Sequence, residues 1–206
     1  MKSFFFIFIL ALSISCTNSP QIKSGDIVFR GASSSNLSEA INEVTQTSKS
    51  TNYTHIGICD VEDGNVVVYH SDLGKGVVKE SLELFINSDD SASYTIDLYR
   101  IKTIAPKQIK KAVSMAKSLM GNPYNTTYIL EDKGYYCSEY VYELFKTDSV
   151  FKLEPMTFKN PQTNTFHKGW IEHYQKLGIA IPEGKLGCNP NGMANSKALK
   201  FIKKIQ

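Results

Sequence analysis

The stretch THIGICDVEDGNVVVYH, residues 54–70, constrains the fold more than any other part of the chain. β-branched and aromatic residues fill its two arms, and Glu62-Asp63-Gly64-Asn65 between them is turn chemistry. Thr54 to Val61 and Val66 to His70 therefore read as paired antiparallel strands. A turn centred on Asp63-Gly64 sets opposing residues whose numbers sum to about 127. His55 then falls opposite the region of residue 72, and His70 opposite the region of residue 57. Side chains alternate faces along a strand. His55, Gly57 and Cys59 share one face, and His55 and His70 become diagonal neighbours on it.

Other segments follow the same logic. Ile27 to Phe29, after Gly25-Asp26, reads as a strand. Ser35 to Thr47 has Leu37, Ala40, Ile41 and Val44 at helical spacing behind capping candidates. Ser71 to Lys75 reads as a loop, Val77-Val78 as a strand, Glu80 to Ile86 as a short helix, and Tyr94 to Ile101 as a strand. A helix begins at Pro106, and Gly121-Asn122-Pro123 stops it. Ser138 to Phe145, His167 to Leu177 and Asn195 to Ile205 are further helices. This order predicts an α+β domain, a small antiparallel sheet or barrel with helices packed against it.

MKSFFFIFILALSISC opens the chain with Lys2, an apolar run from Phe4 to Leu12, small residues and Cys16. That is the layout of a secretory signal peptide, and the run is short for a membrane span. The expected division is a signal peptide at 1–15, a lipidated linker at 16–24 beginning with Cys16, and one domain at 25–206. The expected location is the bacterial cell envelope, periplasm or outer membrane, with a lipid anchor holding the protein to a membrane. Plain secretion with an incidental Cys16 is the competing reading. A net charge of +3 gives no case for nucleic acid. The lysines at 197, 200, 203 and 204 read as a solvated helix face. The remaining cysteines, Cys59, Cys137 and Cys188, show no metal-ligand spacing, and whether Cys59 and Cys188 pair stays open.

Cys137, in GYYCSEYVYELF, starts a helix. The first amide groups there have no intrahelical acceptor and carry partial positive charge, which favours a thiolate and could hold an oxyanion. A buried structural cysteine is the plain alternative. A nucleophilic cysteine needs a base. His55 is the candidate base and His70 the residue that orients it; two satisfied polar residues at a sheet edge is the plain alternative. Tyr53 offers either packing or a hydroxyl for the oxyanion. Tyr135 and Tyr136 read as pocket wall or core, Glu139 as a structural residue open to ion pairing, and His167 and His173 as surface or packing residues.

GDIVFR at 25, THIGI at 54, VVVYH at 66, GNPYN at 121 and YYCSEYV at 135 together resemble the permuted branch of the NlpC-type papain-fold cysteine hydrolases, the YiiX-like proteins. The resemblance spans about residues 24 to 205, including a tail in which a Pro-containing turn leads to a last helix. It implies a circularly permuted papain-like fold, with histidine before cysteine in the chain. By it Cys137 is the nucleophile, His55 the base and His70 the third polar residue, where many such proteins carry an acid. The Cys-His-His set also resembles the lecithin–retinol acyltransferase group. The expected function is a cell-envelope cysteine hydrolase, an amidase or peptidase working through an acyl-enzyme without metal or cofactor. Its substrate would be a peptidoglycan-derived peptide or an amide-linked lipid. Lipid acyl transfer and a catalytically silent, membrane-tethered binding module are the alternatives.

Overall fold

The computed structural model describes residues 21–31, 36–46, 52–87 and 95–206. The proposed signal peptide, Cys16 and most of the proposed linker lie outside the described residues. The elements are β1 (Ile27–Gly31), α1 (Asn36–Val44), β2 (His55–Glu62), β3 (Asn65–Asp72), β4 (Gly76–Ser81), α2 (Leu82–Ile86), β5 (Thr95–Ile101), α3 (Pro106–Ser118), α4 (Cys137–Phe145), β6 (Glu154–Pro155), α5 (Lys168–Leu177), β7 (Leu186–Gly187), α6 (Pro190–Ala194) and β8 (Leu199–Lys204). Among the described residues no helix is long and apolar enough to cross a membrane.

The main sheet is antiparallel, in the order β4-β3-β2-β1-β5-β8. Between β2 and β3, Ile58 faces Tyr69 and Cys59 faces Val68, the register that the Asp63-Gly64 turn requires. One sheet face, with Ile27, Phe29, Ile56, Ile58 and Tyr69, packs against Tyr140, Val141, Leu144 and Phe145 of α4. The opposite face, with Val28, Cys59, Val68, Ile96 and Leu98, closes over Phe85 of α2. Helices on one face and a small apolar cover on the other make this an α+β fold.

Gly25-Asp26 acts as a clasp. Gly25 holds a φ of +87°, where a Cβ would also collide with Ile109. The buried carboxylate of Asp26 then accepts from Arg100 Nε at 2.6 Å and Nη2 at 2.7 Å, tying β1 to β5. Removing one partner of such a pair leaves a buried charge and costs about 3–5 kcal/mol.

The C-terminal segment corrects the expectation of a helix over Asn195 to Ile205. Residues 199–204 form a strand instead, with Leu199 opposite Ile101 and Phe201 opposite Tyr99. The helix of this tail is the short α6, with Pro190 at its start and Asn189 capping it. Local preference in a Lys- and Ala-containing run favours helix, but the open edge of β5 needs backbone partners and wins. Lys200, Lys203 and Lys204 therefore sit on an edge strand, where charge discourages pairing with another chain.

Candidate active site

Cys137 is the first residue of α4 and is 6% exposed. Its Sγ donates to the Thr54 carbonyl at 3.9 Å, one residue before His55. Burial pushes the thiol up to about 12, against the Ser138 amide at the helix start and the Arg30 guanidinium, which both pull it down. The helix terminus does favour the thiolate, but desolvation outweighs it, so the resting sulfur is protonated.

His55 Nε2 and His70 Nδ1 stand 2.8 Å apart, and the rings meet edge to face with centroids 5.0 Å apart. Phe85 stacks on His55 at 5.6 Å and meets His70 edge-on. Burial, then Arg30, His70 and Lys75, hold His55 well below the usual imidazole range, so it is neutral. Both imidazoles lie on the face of Cys59 and Phe85, whereas α4 packs mainly on the other face. The sulfur meets the chain at Thr54, just before β2 begins, at the end of the sheet. No hydrogen bond joins Sγ to either ring among the described residues, yet Arg30 and Asp72, which flank the histidines, act electrostatically on Cys137.

His55, His70 and Asp72 offer three donor atoms within 4.8 Å of one another. Each is already engaged: the imidazoles with one another, and Asp72 with Lys75 Nζ at 3.2 Å. Lys75 also reaches Glu80 at 2.7 Å. A metal ion held there would have to part the imidazole pair and compete with the Lys75 ammonium for Asp72.

Beside Cys137 opens a cavity of about 650 Å³, walled by Tyr124, Tyr128, Phe158, Trp170 and Met193. Neither histidine lines it; Thr54 does. Lys152, Lys197 and Glu154, all exposed, also line it, two cations to one carboxylate. The Tyr53 hydroxyl is not directed here. It donates to Asp97 and lies 3.4 Å from the Tyr99 hydroxyl, which corrects its proposed place at the oxyanion. Burial and the Asp97 carboxylate hold that proton on Tyr53.

The chain matches, over residues 21–203, the family described as permuted papain-like amidase enzyme, YaeF/YiiX, the C92 family. It belongs to that family. A curated relative, the uncharacterized protein YiiX of Escherichia coli (strain K12), is 24% identical over 192 residues, covering 89% of this chain and 87% of that protein. A crystal structure described as that of the metalloprotein yiiX from Escherichia coli O157:H7 has the same fold. It superposes with a TM-score of 0.71 at 22% identity, over 88% of this chain and 97% of that one. The protein is thus a permuted papain-like cysteine amidase at the level of its family.

Two tyrosines missed in the sequence stand beside Cys137. Tyr124 and Tyr128 line the cavity with Cys137, their hydroxyls are 3.4 Å apart, and burial keeps both protonated. The GNPYN motif contains Tyr124 but reads locally only as a helix stop; its approach to Cys137 is a tertiary fact. Glu139 is structural, with no ion pair among the described residues. Its carboxylate accepts from the Tyr136 amide at 3.0 Å and from Asn125 at 3.1 Å, bracing the turn that presents Cys137. His167 caps α5 through Nδ1 and pairs with Glu43 at 3.0 Å, and His173 binds the Thr126 carbonyl. Cys59 and Cys188 are both free and sit in different apolar clusters.

Proposed function

We propose that this member of the amidase family cleaves amide-linked lipids, with Cys137 as nucleophile, His55 as base and His70 as the residue that orients it. The observation that carries this reading is the aromatic, apolar cavity opening directly on the Cys137 sulfur. An acyl chain buried there would be bound by its apolar area, and Lys152 and Lys197 would meet an anionic head. A peptidoglycan-derived peptide is polar along its length and gains little from such walls.

In this mechanism the sulfur attacks the amide carbonyl as His55 takes the thiol proton. The new S–C bond gives a tetrahedral oxyanion, held by the Cys137 amide and the Tyr124 hydroxyl. His55 passes the proton to the leaving nitrogen as the C–N bond breaks. Water then releases the acyl group from sulfur. Neutral thiol and neutral imidazole at rest fit proton transfer during attack rather than a standing ion pair. Lipid acyl transfer shares the acyl-enzyme and differs only in what accepts the acyl group. A lipidated Cys16 at the cell envelope would hold this site beside a membrane, its source of substrate.

The test is a panel of N-acyl amino acids of rising chain length beside soluble muropeptides, read by mass spectrometry with and without an added lysolipid acceptor. The expected result is kcat/KM rising with chain length and lost in Cys137→Ala. Cleavage of muropeptides alone would overturn the lipid reading, and turnover surviving Cys137→Ala would overturn the nucleophile.

A further inference from the structure

Beyond the two histidines lies a carboxylate. His70 Nε2 stands 3.2 Å from Glu80 Oε2, and Glu80 Oε1 is held by Lys75 at 2.7 Å. Glu80 sits on β4 diagonally from His70, opposite Val68, while His70 is opposite Val78. His70 is fully buried and its only described side-chain hydrogen bonds are those to His55 and Glu80.

Hydrogen bonding fixes where the protons lie along this chain of groups. His70, then Lys75, hold the Glu80 carboxyl down to about 2, so it is ionised and only accepts. His70 Nε2 must then carry hydrogen. In neutral His70, Nδ1 is left with a lone pair, so the 2.8 Å contact requires hydrogen on His55 Nε2. Neutral His55 is left with its lone pair on Nδ1 and can accept a proton only there. The reverse tautomer of His70 would place hydrogen on His55 Nδ1 and remove the base.

We propose that Glu80 is a positioning residue of this site: by accepting the Nε2 proton of His70, it sets the tautomers of both imidazoles and leaves His55 Nδ1 as the base for Cys137. The inference rests on the assignment of Cys137 and His55 above. It adds a fourth residue, clamped from outside by Lys75. The charged or titratable groups set against the pair are Arg30 from β1, Asp72 from β3, Lys75 from the β3–β4 turn and Glu80 itself from β4.

The experiment is acylation of Cys137 by p-nitrophenyl butyrate, followed as the nitrophenolate burst and the acyl adduct on the intact protein across pH. Wild type, His55→Ala, Glu80→Ala and Glu80→Gln are compared, with long-range ¹H–¹⁵N NMR of the wild-type imidazoles. The expected result is a large loss in His55→Ala and a loss of roughly tenfold to a hundredfold with an altered pH profile in Glu80→Ala. Glu80→Gln, which keeps an accepting oxygen, recovers most of the rate. His70 shows the Nε2–H tautomer. Glu80→Ala acylating like wild type while His55→Ala is slow would overturn the role of Glu80 alone. Hydrogen on His70 Nδ1 in the wild type would do so without any variant. An unchanged rate in His55→Ala would overturn the underlying pair, and Glu80 with it.

Discussion

A Cβ on Gly57 would stand 3.2 Å from the Cβ of His70 and 2.5 Å from Cγ1 of Val68. Gly57 therefore lets β3 lie close at Val68 and His70, and the glycine of THIGI eases the approach of the second imidazole to the first. Gly57→Ala is expected to lower stability by about 1–3 kcal/mol through overpacking and to push His70 off His55. Urea melts and the nitrophenyl ester burst together check this. A variant with a lost burst at full stability would localise the effect to the imidazole pair.

Tyr124→Phe is expected to lower kcat roughly a hundredfold with little change in KM, because the hydroxyl acts only once charge develops on the carbonyl oxygen. Tyr53→Phe is expected to leave kcat in place and to cost about 1 kcal/mol of stability, since it removes a hydrogen bond to Asp97 that faces away from the reacting carbon. Steady-state kinetics on the two variants separates these roles.

Glu139 gives a pH dependence with a definite sign. Burial raises its carboxyl from 4.5 to about 7. The folded state keeps the proton longer than the unfolded chain, so stability is fullest below the unfolded value and declines as pH rises from about 4.5 to 7. The total change is on the order of 1–3 kcal/mol after allowing for solvent screening. Glu139→Gln keeps the acceptor for the Tyr136 amide and removes this slope. Thermal melts across the window, wild type against variant, measure it.

Chelation is expected to leave the ester burst unchanged, because Lys75 rather than a metal neutralises Asp72 and Glu80. Loss of the burst with EDTA and recovery on adding zinc would reassign His55, His70 and Asp72 as ligands.

The hairpin and its register were legible because turn chemistry and alternation act over a few residues, and from them the meeting of His55 and His70 could be worked out. The C-terminal strand was not legible: the run around Lys200 to Lys204 has good helical preference, and only the distant edge of β5 decides otherwise. Glu80 was read as the start of a helix that begins at Leu82, so its place on β4 was hidden by two residues at an element boundary. Tyr124 joins the site through a loop path that no local pattern encodes, whereas Asp72 ends β3 and Lys75 lies in the turn after it, where the sequence reads only as a loop. The position of Cys137 at a helix start was legible, but the weight of its burial was not. A neighbouring cation or helix terminus can be read from sequence more readily than the desolvation that outweighs them both.

That desolvation has a consequence for how the protein ages. Peroxide and disulfide reagents react with the sulfur anion, and a thiol held up to about 12 yields almost none of it at neutral pH. The sulfur is therefore expected to react slowly with peroxide between encounters with substrate, where an exposed, preformed thiolate would be consumed.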